Sequence, residues 1–155
     1  MKKYRTRVLV ALACALMAAS VSWAVVIAIS TTQGLAFGKF VAGAAGTVTV
    51  SPAGVRSAGG GVVLVPSGAG AAAQFAVSGD PNVSYAISLP ADGTVSLVSG
   101  ANSMALNTFT SSPSPTGTLG AGGTQTLSVG ATLSVGSNQA SGSYSGAFDV
   151  TVNYN

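Results

Sequence analysis

From residue 35 onward, short stretches of alternating apolar and polar residues are separated by clusters of Gly, Pro, Asn and Ser. Successive side chains on a strand point to opposite faces, so this period of two predicts half-buried β-strands. Candidate strands occupy residues 35–41, 47–50, 62–65, 74–78, 83–89, 94–98, 104–109, 124–135 and 143–155. Turn signals break them at Ser51-Pro52, Pro66, Gly79-Asp80-Pro81-Asn82, Pro90-Ala91-Asp92-Gly93, Ser99-Gly100-Ala101-Asn102 and Gly136-Ser137-Asn138. A stretch rich in Ser, Pro and Thr, residues 111–118, reads as a solvated loop. Strands at this spacing predict one all-β domain built as a sandwich. No stretch after residue 30 has a helical period.

The first quarter has a different character. Lys2, Lys3, Arg5 and Arg7 precede an apolar run over 8–17, and small residues follow over 18–24. That order predicts a secretory signal peptide over 1–24, cut after Ala24 or after Ser20. The competing reading is a membrane anchor, since residues 8–29 approach the length of a bilayer span. Ser20, Ser22 and Ala24 suit a peptidase better. The single Cys, Cys14, lies too early in the apolar run for a lipid attachment site, and the rest of the chain has no disulfide to stabilise it.

Removing the signal changes the charge. The whole chain carries +3, but from Val25 only Lys39 and Arg56 stand against Asp80, Asp92 and Asp149, a net charge of −1. No basic patch remains for nucleic acid. The chain has no His. Zinc sites of His and Cys, and Ser-His-Asp or Cys-His catalysis, are therefore excluded. The three acids are widely separated and form no calcium loop. Gly59-Gly60-Gly61 lacks the Lys-Ser or Lys-Thr of a phosphate loop and reads as a turn. The expectation is a protein with no cofactor and no enzymatic activity.

The ends are more informative. Tyr144, Phe148, Val150, Val152 and Tyr154 share one parity, and Ser145, Asp149, Thr151 and Asn153 share the other. A final strand with one apolar face needs a cover or a partner. This end, with aromatic Tyr154 next to last and Gly142 fourteenth from the end, resembles that of archaic chaperone–usher pilin subunits and the related spore-coat U-like domains. The stretch from Leu35-Ala36-Phe37-Gly38 through Gly142-Ser143-Tyr144-Ser145-Gly146 to Val152-Asn153-Tyr154 also resembles an exported bacterial family of unknown function (DUF4402), over about four fifths of the chain. The resemblance implies an immunoglobulin-like, pilin-like β-sandwich lacking its last strand. A periplasmic chaperone would lend that strand, and the next subunit would replace it at an usher.

A subunit of this kind carries a donor segment ahead of its domain. Here that stretch, residues 25–34, is short. If cleavage falls after Ser20, Val21, Trp23, Val25, Ile27 and Ile29 alternate at period two and form a candidate donor. The expected role is a structural subunit of a surface fibre or fimbria, a homo- or hetero-polymer reaching the cell surface through the periplasm. The implied contact residues are Gly142, Tyr144, Phe148, Val150, Val152 and Tyr154. The alternative is a secreted module on a closed sandwich (35–155) that binds carbohydrate or mediates adhesion.

Overall fold

A computed structural model describes residues 25–155. The expected signal peptide over 1–24, with Val21 and Trp23 in it, lies outside the described residues. Ten strands and no helix make up the described residues, in two antiparallel sheets. They are β1 (Ala28–Gln33), β2 (Phe40–Val50), β3 (Arg56–Leu64), β4 (Ala73–Ser78), β5 (Ser84–Ser88), β6 (Val95–Ser99), β7 (Asn102–Ser112), β8 (Thr116–Thr118), β9 (Thr124–Val135) and β10 (Thr151–Tyr154). The larger sheet runs β1-β4-β9-β2-β3, with β7 also on β9 and β6 on β7. The smaller runs β10-β5-β8.

The strand β9 organises both halves. Its alternation buries Leu127, Val129, Ala131, Leu133 and Val135. Val129 lies between Ala73 of β4 and Ser111 of β7, and Leu133 between Val48 of β2 and Leu106 of β7. One edge of β9 is therefore given to β7, and the other is shared by β4 and then β2. Gly130 marks the handover. A Cβ there would collide with the Val50 carbonyl oxygen and come within 2.9 Å of the Pro52 nitrogen. The core divides at the same place, into a cluster around Val48, Leu106 and Leu133 and another around Phe75, Tyr85, Leu127 and Val152.

Polar groups tie the layers at a few points. The Tyr85 hydroxyl, fully buried on β5, donates to Gln125 Oε1 on β9 at 2.8 Å and joins the two sheets. Arg56 donates to the Phe37, Lys39 and Val65 carbonyls at 3.1, 3.0 and 2.9 Å. It reaches from the start of β3 to both flanks of the other end of the β2–β3 ribbon, so the ribbon is bent. The bend sits at the register shift between Ala42 and Gly46, opposite Gly60 at φ +68°. Asp92 Oδ1 accepts from the Thr108 N–H at 2.6 Å, where β7 is irregular between Asn107 and Thr110. Past that irregularity β7 exchanges β6 for β9 as its main partner.

Three readings of the sequence are corrected. Gly59, Gly60 and Gly61 are not a turn: they lie inside β3, where Gly59 and Gly60 pair with Thr47 and Gly46. Close approach to Ala45 and Ala44 is what requires Gly60 and Gly61 to be small. The 111–118 stretch is not all loop, because β7 extends to Ser112 and Thr116–Thr118 forms β8 on β5. The final strand is far shorter than 143–155, since only Thr151–Tyr154 pairs as a strand, with β5, and Ser145 makes a lone bridge to Val98.

Gly130→Ala should lower unfolding stability by about 1–3 kcal/mol, the usual cost of forcing atoms into a packed core, measured by denaturant titration. Burial raises the Tyr85 pKa above its ordinary value near 10.0. Below that value the phenol is neutral whether folded or not, and its contribution is complete. As pH rises past it the unfolded chain ionises first, and stability falls towards the higher folded value. Alkaline unfolding titrations should therefore show a shallower loss for Tyr85→Phe than for the parent chain.

Candidate functional site

The outer edges of the two sheets face each other across a seam. Among the described residues, β1 ends the larger sheet and β10 ends the smaller, so each has one edge without a described partner. Ile27 and Ile29 of one side and Val150, Val152 and Tyr154 of the other pack on the same core cluster. At the β10 end the seam is closed: the Tyr154 hydroxyl accepts from the Asp80 N–H at 2.6 Å.

Towards the other end the walls separate. One wall is the chain leaving β1, from Gly34 to Lys39, where Ala36 makes the one bridge, to Ala71. The other wall is the segment leading into β10. Ser145 bridges to Val98 through two hydrogen bonds of 2.8 and 3.0 Å. Among the described residues, the backbone of residues 146–150 finds no backbone partner. Backbone N–H and C=O groups are obligatory hydrogen-bonding groups, so these need partners beyond the described backbone.

Two clefts open between these walls. A narrow one of about 260 Å³ lies between Gln33, Gly34 and Leu35 on one side and Gly146, Ala147 and Phe148 on the other. Its floor reaches Ala73, Phe75 and Leu106, all buried core residues. A wider one of about 940 Å³ continues between residues 35–42 and 139–146, over Leu97, Met104 and Leu133. The floor is apolar along its length, and polar groups such as Lys39, Gln139 and Ser141 are confined to the walls.

The residues singled out from the sequence meet here, in two groups. Phe148, Val150, Val152 and Tyr154 keep the expected parity and all pack on the Phe75–Tyr85 cluster. The Phe148 ring meets Phe75 edge-on at 6.2 Å and tilts against Phe109 at 5.2 Å. Tyr144 departs from them: it packs on the other cluster, and its hydroxyl donates to the Ala140 carbonyl at 2.8 Å and accepts from Gln139 Nε2 at 2.9 Å. The Ser145 bridge to Val98 stands between it and the later residues. Gly142 lines the wide cleft, and a Cβ there would stand 2.6 Å from Ser99 Oγ.

Of the candidate donor residues, Ile27 and Ile29 are half-buried in this domain's own core, with Ile29 paired to Val77. Val25 is exposed. The opposite wall escaped the sequence reading, because 35–41 alternates like a strand. Gly34 and Gly38, the latter at φ +68°, interrupt it and were the available signal. Among the described residues no group of three His, Cys, Asp or Glu side chains is placed to hold a metal.

Residues 27–154 match the profile of a domain of unknown function, DUF4402. The chain belongs to that family. The match starts at Ile27, the first of the described residues that packs on the core, and ends at Tyr154, the last residue of β10. The DUF4402 domain thus includes both walls of the seam. No curated protein and no solved structure matches the chain.

Phe148→Ala should destabilise the DUF4402 domain by about 1.5–3 kcal/mol, less than a fully buried Phe because the ring is half exposed. Thermal unfolding followed by circular dichroism would measure it, with exposed Ser137→Ala as a neutral control.

Proposed function

We propose that this chain is an exported structural subunit of a surface fibre or fimbria, and that it works by accepting a β-strand along the seam between β1 and the segment leading into β10. The finer fold assignment that accompanies this reading is an immunoglobulin-like, pilin-like sandwich whose last strand comes from outside. One observation carries it: among the described residues, the backbone of residues 146–150 finds no backbone partner, beside clefts that reach both halves of the core. An added strand would supply the missing hydrogen bonds while its alternate side chains fill the clefts, which is β-strand addition. Each large side chain so buried contributes roughly 1.5–3 kcal/mol before the cost of ordering the strand.

The partners that follow are other subunits of like kind, with a periplasmic chaperone and an usher holding the seam in transit. The route is export to the periplasm and then to the cell surface. The role is mechanical, with no enzymatic step and no cofactor. A second reading, a secreted carbohydrate- or adhesion-binding module, draws on the polar wall groups Lys39, Gln139, Ser141 and Ser143. It is the weaker reading because three of the aromatic residues lining the clefts are buried or tied by hydrogen bonds. Phe37 and Phe75 are buried, and the Tyr144 hydroxyl is tied to Gln139 and Ala140.

Electrophoresis of the exported protein in SDS without boiling tests the proposal. A ladder of multiples is expected, collapsing to one band on boiling. Deletion of residues 144–155 should abolish the ladder but also opens the core. Ala147→Trp is the cleaner variant, since Ala147 is exposed at the narrow cleft and its replacement leaves every strand in place. It should yield a folded monomer. A parent chain that stays monomeric with an intact N-terminus, and unfolds cooperatively, would overturn strand addition. Saturable binding to a glycan by that monomer would favour the second reading.

A further inference from the structure

We propose that the wide cleft is a binding site for a small anionic amphiphile, with its acyl chain along the floor and its carboxylate at Lys39. This goes beyond the strand-addition reading and does not rest on it.

The cleft is built before anything enters it. One wall is held at Lys39, whose carbonyl accepts from Arg56 Nη1 and from the Val65 N–H, each at 3.0 Å. Gly38, at φ +68°, turns the chain just before it, and a Cβ there would collide with the Gly68 carbonyl oxygen. The other wall is held by the hydrogen bonds of Gln139 to Tyr144 and of Tyr144 to Ala140, and by the two that join Ser145 to Val98. Small-molecule sites are largely preformed and enclose roughly 300–1,000 Å³. This cleft, with pinned walls and about 940 Å³, is of that kind.

The floor selects the body of the ligand. Met104 and Leu133 are buried core residues, and Leu97 is half-buried beside them. An apolar chain laid on them leaves water, and each methylene so buried raises affinity about fourfold. Among the described residues, Lys39 is the only charged side chain that lines the cleft.

Charge selects the head. The cations of residues 25–155 are Arg56 and Lys39. Arg56 is committed to three carbonyls of the bent β2–β3 ribbon. Lys39 is exposed, on the wall of the wide cleft. The acids lie elsewhere. None lines either cleft: Asp80 sits at the closed end of the seam and Asp92 binds the Thr108 N–H. The mouth of the cleft is therefore positive on a domain whose net charge is −1. It attracts an anionic head and repels a cationic one. Ser141 and Ser143 on the opposite wall carry hydroxyls, which are donors for a carboxylate.

Isothermal titration calorimetry with dodecanoate, below its micelle concentration, tests this on the exported Ala147→Trp chain. Ala147 lines the narrow cleft and not the wide one, so the site is unaltered. Saturable binding of one dodecanoate per chain is expected. Decanoate, shorter by two methylenes, should bind about tenfold more weakly. Dodecyltrimethylammonium should bind at least about fivefold more weakly. Adding Lys39→Gln should weaken dodecanoate about three- to fivefold and leave dodecanol unchanged. Adding Ser141→Trp instead, at an exposed wall position, should block every probe while thermal unfolding stays in place. Absence of saturable dodecanoate binding overturns the proposal. So does equal binding of the cationic probe, an unchanged dodecanoate affinity in Lys39→Gln, or binding that survives Ser141→Trp. A parent chain that gives no SDS-resistant ladder yet binds dodecanoate removes strand addition and leaves this site standing.

Discussion

The hydrogen-bonding of β9 on both edges is the constraint from which the rest follows. A strand of twelve residues cannot give one edge to β7 and the other to β4 and then β2 unless its neighbours hand over cleanly. Gly130 makes the handover possible, because the Val50 carbonyl occupies the space of a side chain. The division of the core into two clusters comes from that same point. So does the path of the C-terminal segment, which must cross from β6 at Ser145 to β5 at Thr151 to cover both. Among the described residues, the crossing leaves residues 146–150 without backbone partners, beside the two clefts.

Few charges serve this fold, and two of them serve the backbone. The Arg56 guanidinium is a strong, planar donor fork, and here its acceptors are three carbonyls of the bent β2–β3 ribbon. Asp92 satisfies the Thr108 N–H where β7 leaves regular pairing. Asp92 sits where strand geometry fails, and Arg56 gathers carbonyls that flank the strand ends.

Much of the strand pattern was legible in the sequence. Residues 124–135 were recognised to the residue, because their alternation is long and strict and both ends carry Gly. The face formed by Phe148, Val150, Val152 and Tyr154 was equally readable, since parity depends only on local backbone extension. Pairing is another matter. Whether residues 146–150 find partners depends on β6 and β5 at long range, and no local signal carries it. Tyr144 obeyed the parity on paper and still went to the other cluster. Gly59-Gly60-Gly61 misled for a physical reason: glycine marks a turn as readily as it marks a strand pressed against another backbone.

The distance along the chain between β10 and its partner has a consequence in time. Tyr154 pairs with Tyr85 and Thr151 with Ser88, more than sixty residues apart. Local contacts form early in folding, whereas such remote pairing bears the largest loop-closure cost. Ribbons like β2–β3 and β6–β7 can assemble while the chain is still emerging, but the Phe75–Tyr85 cluster stays uncovered until Tyr154 arrives. For that interval the least protected surface is the apolar ground beneath the seam, where a chance encounter with another unfinished chain would lead to aggregation. A holding protein would find its most useful purchase there, before the fold is complete.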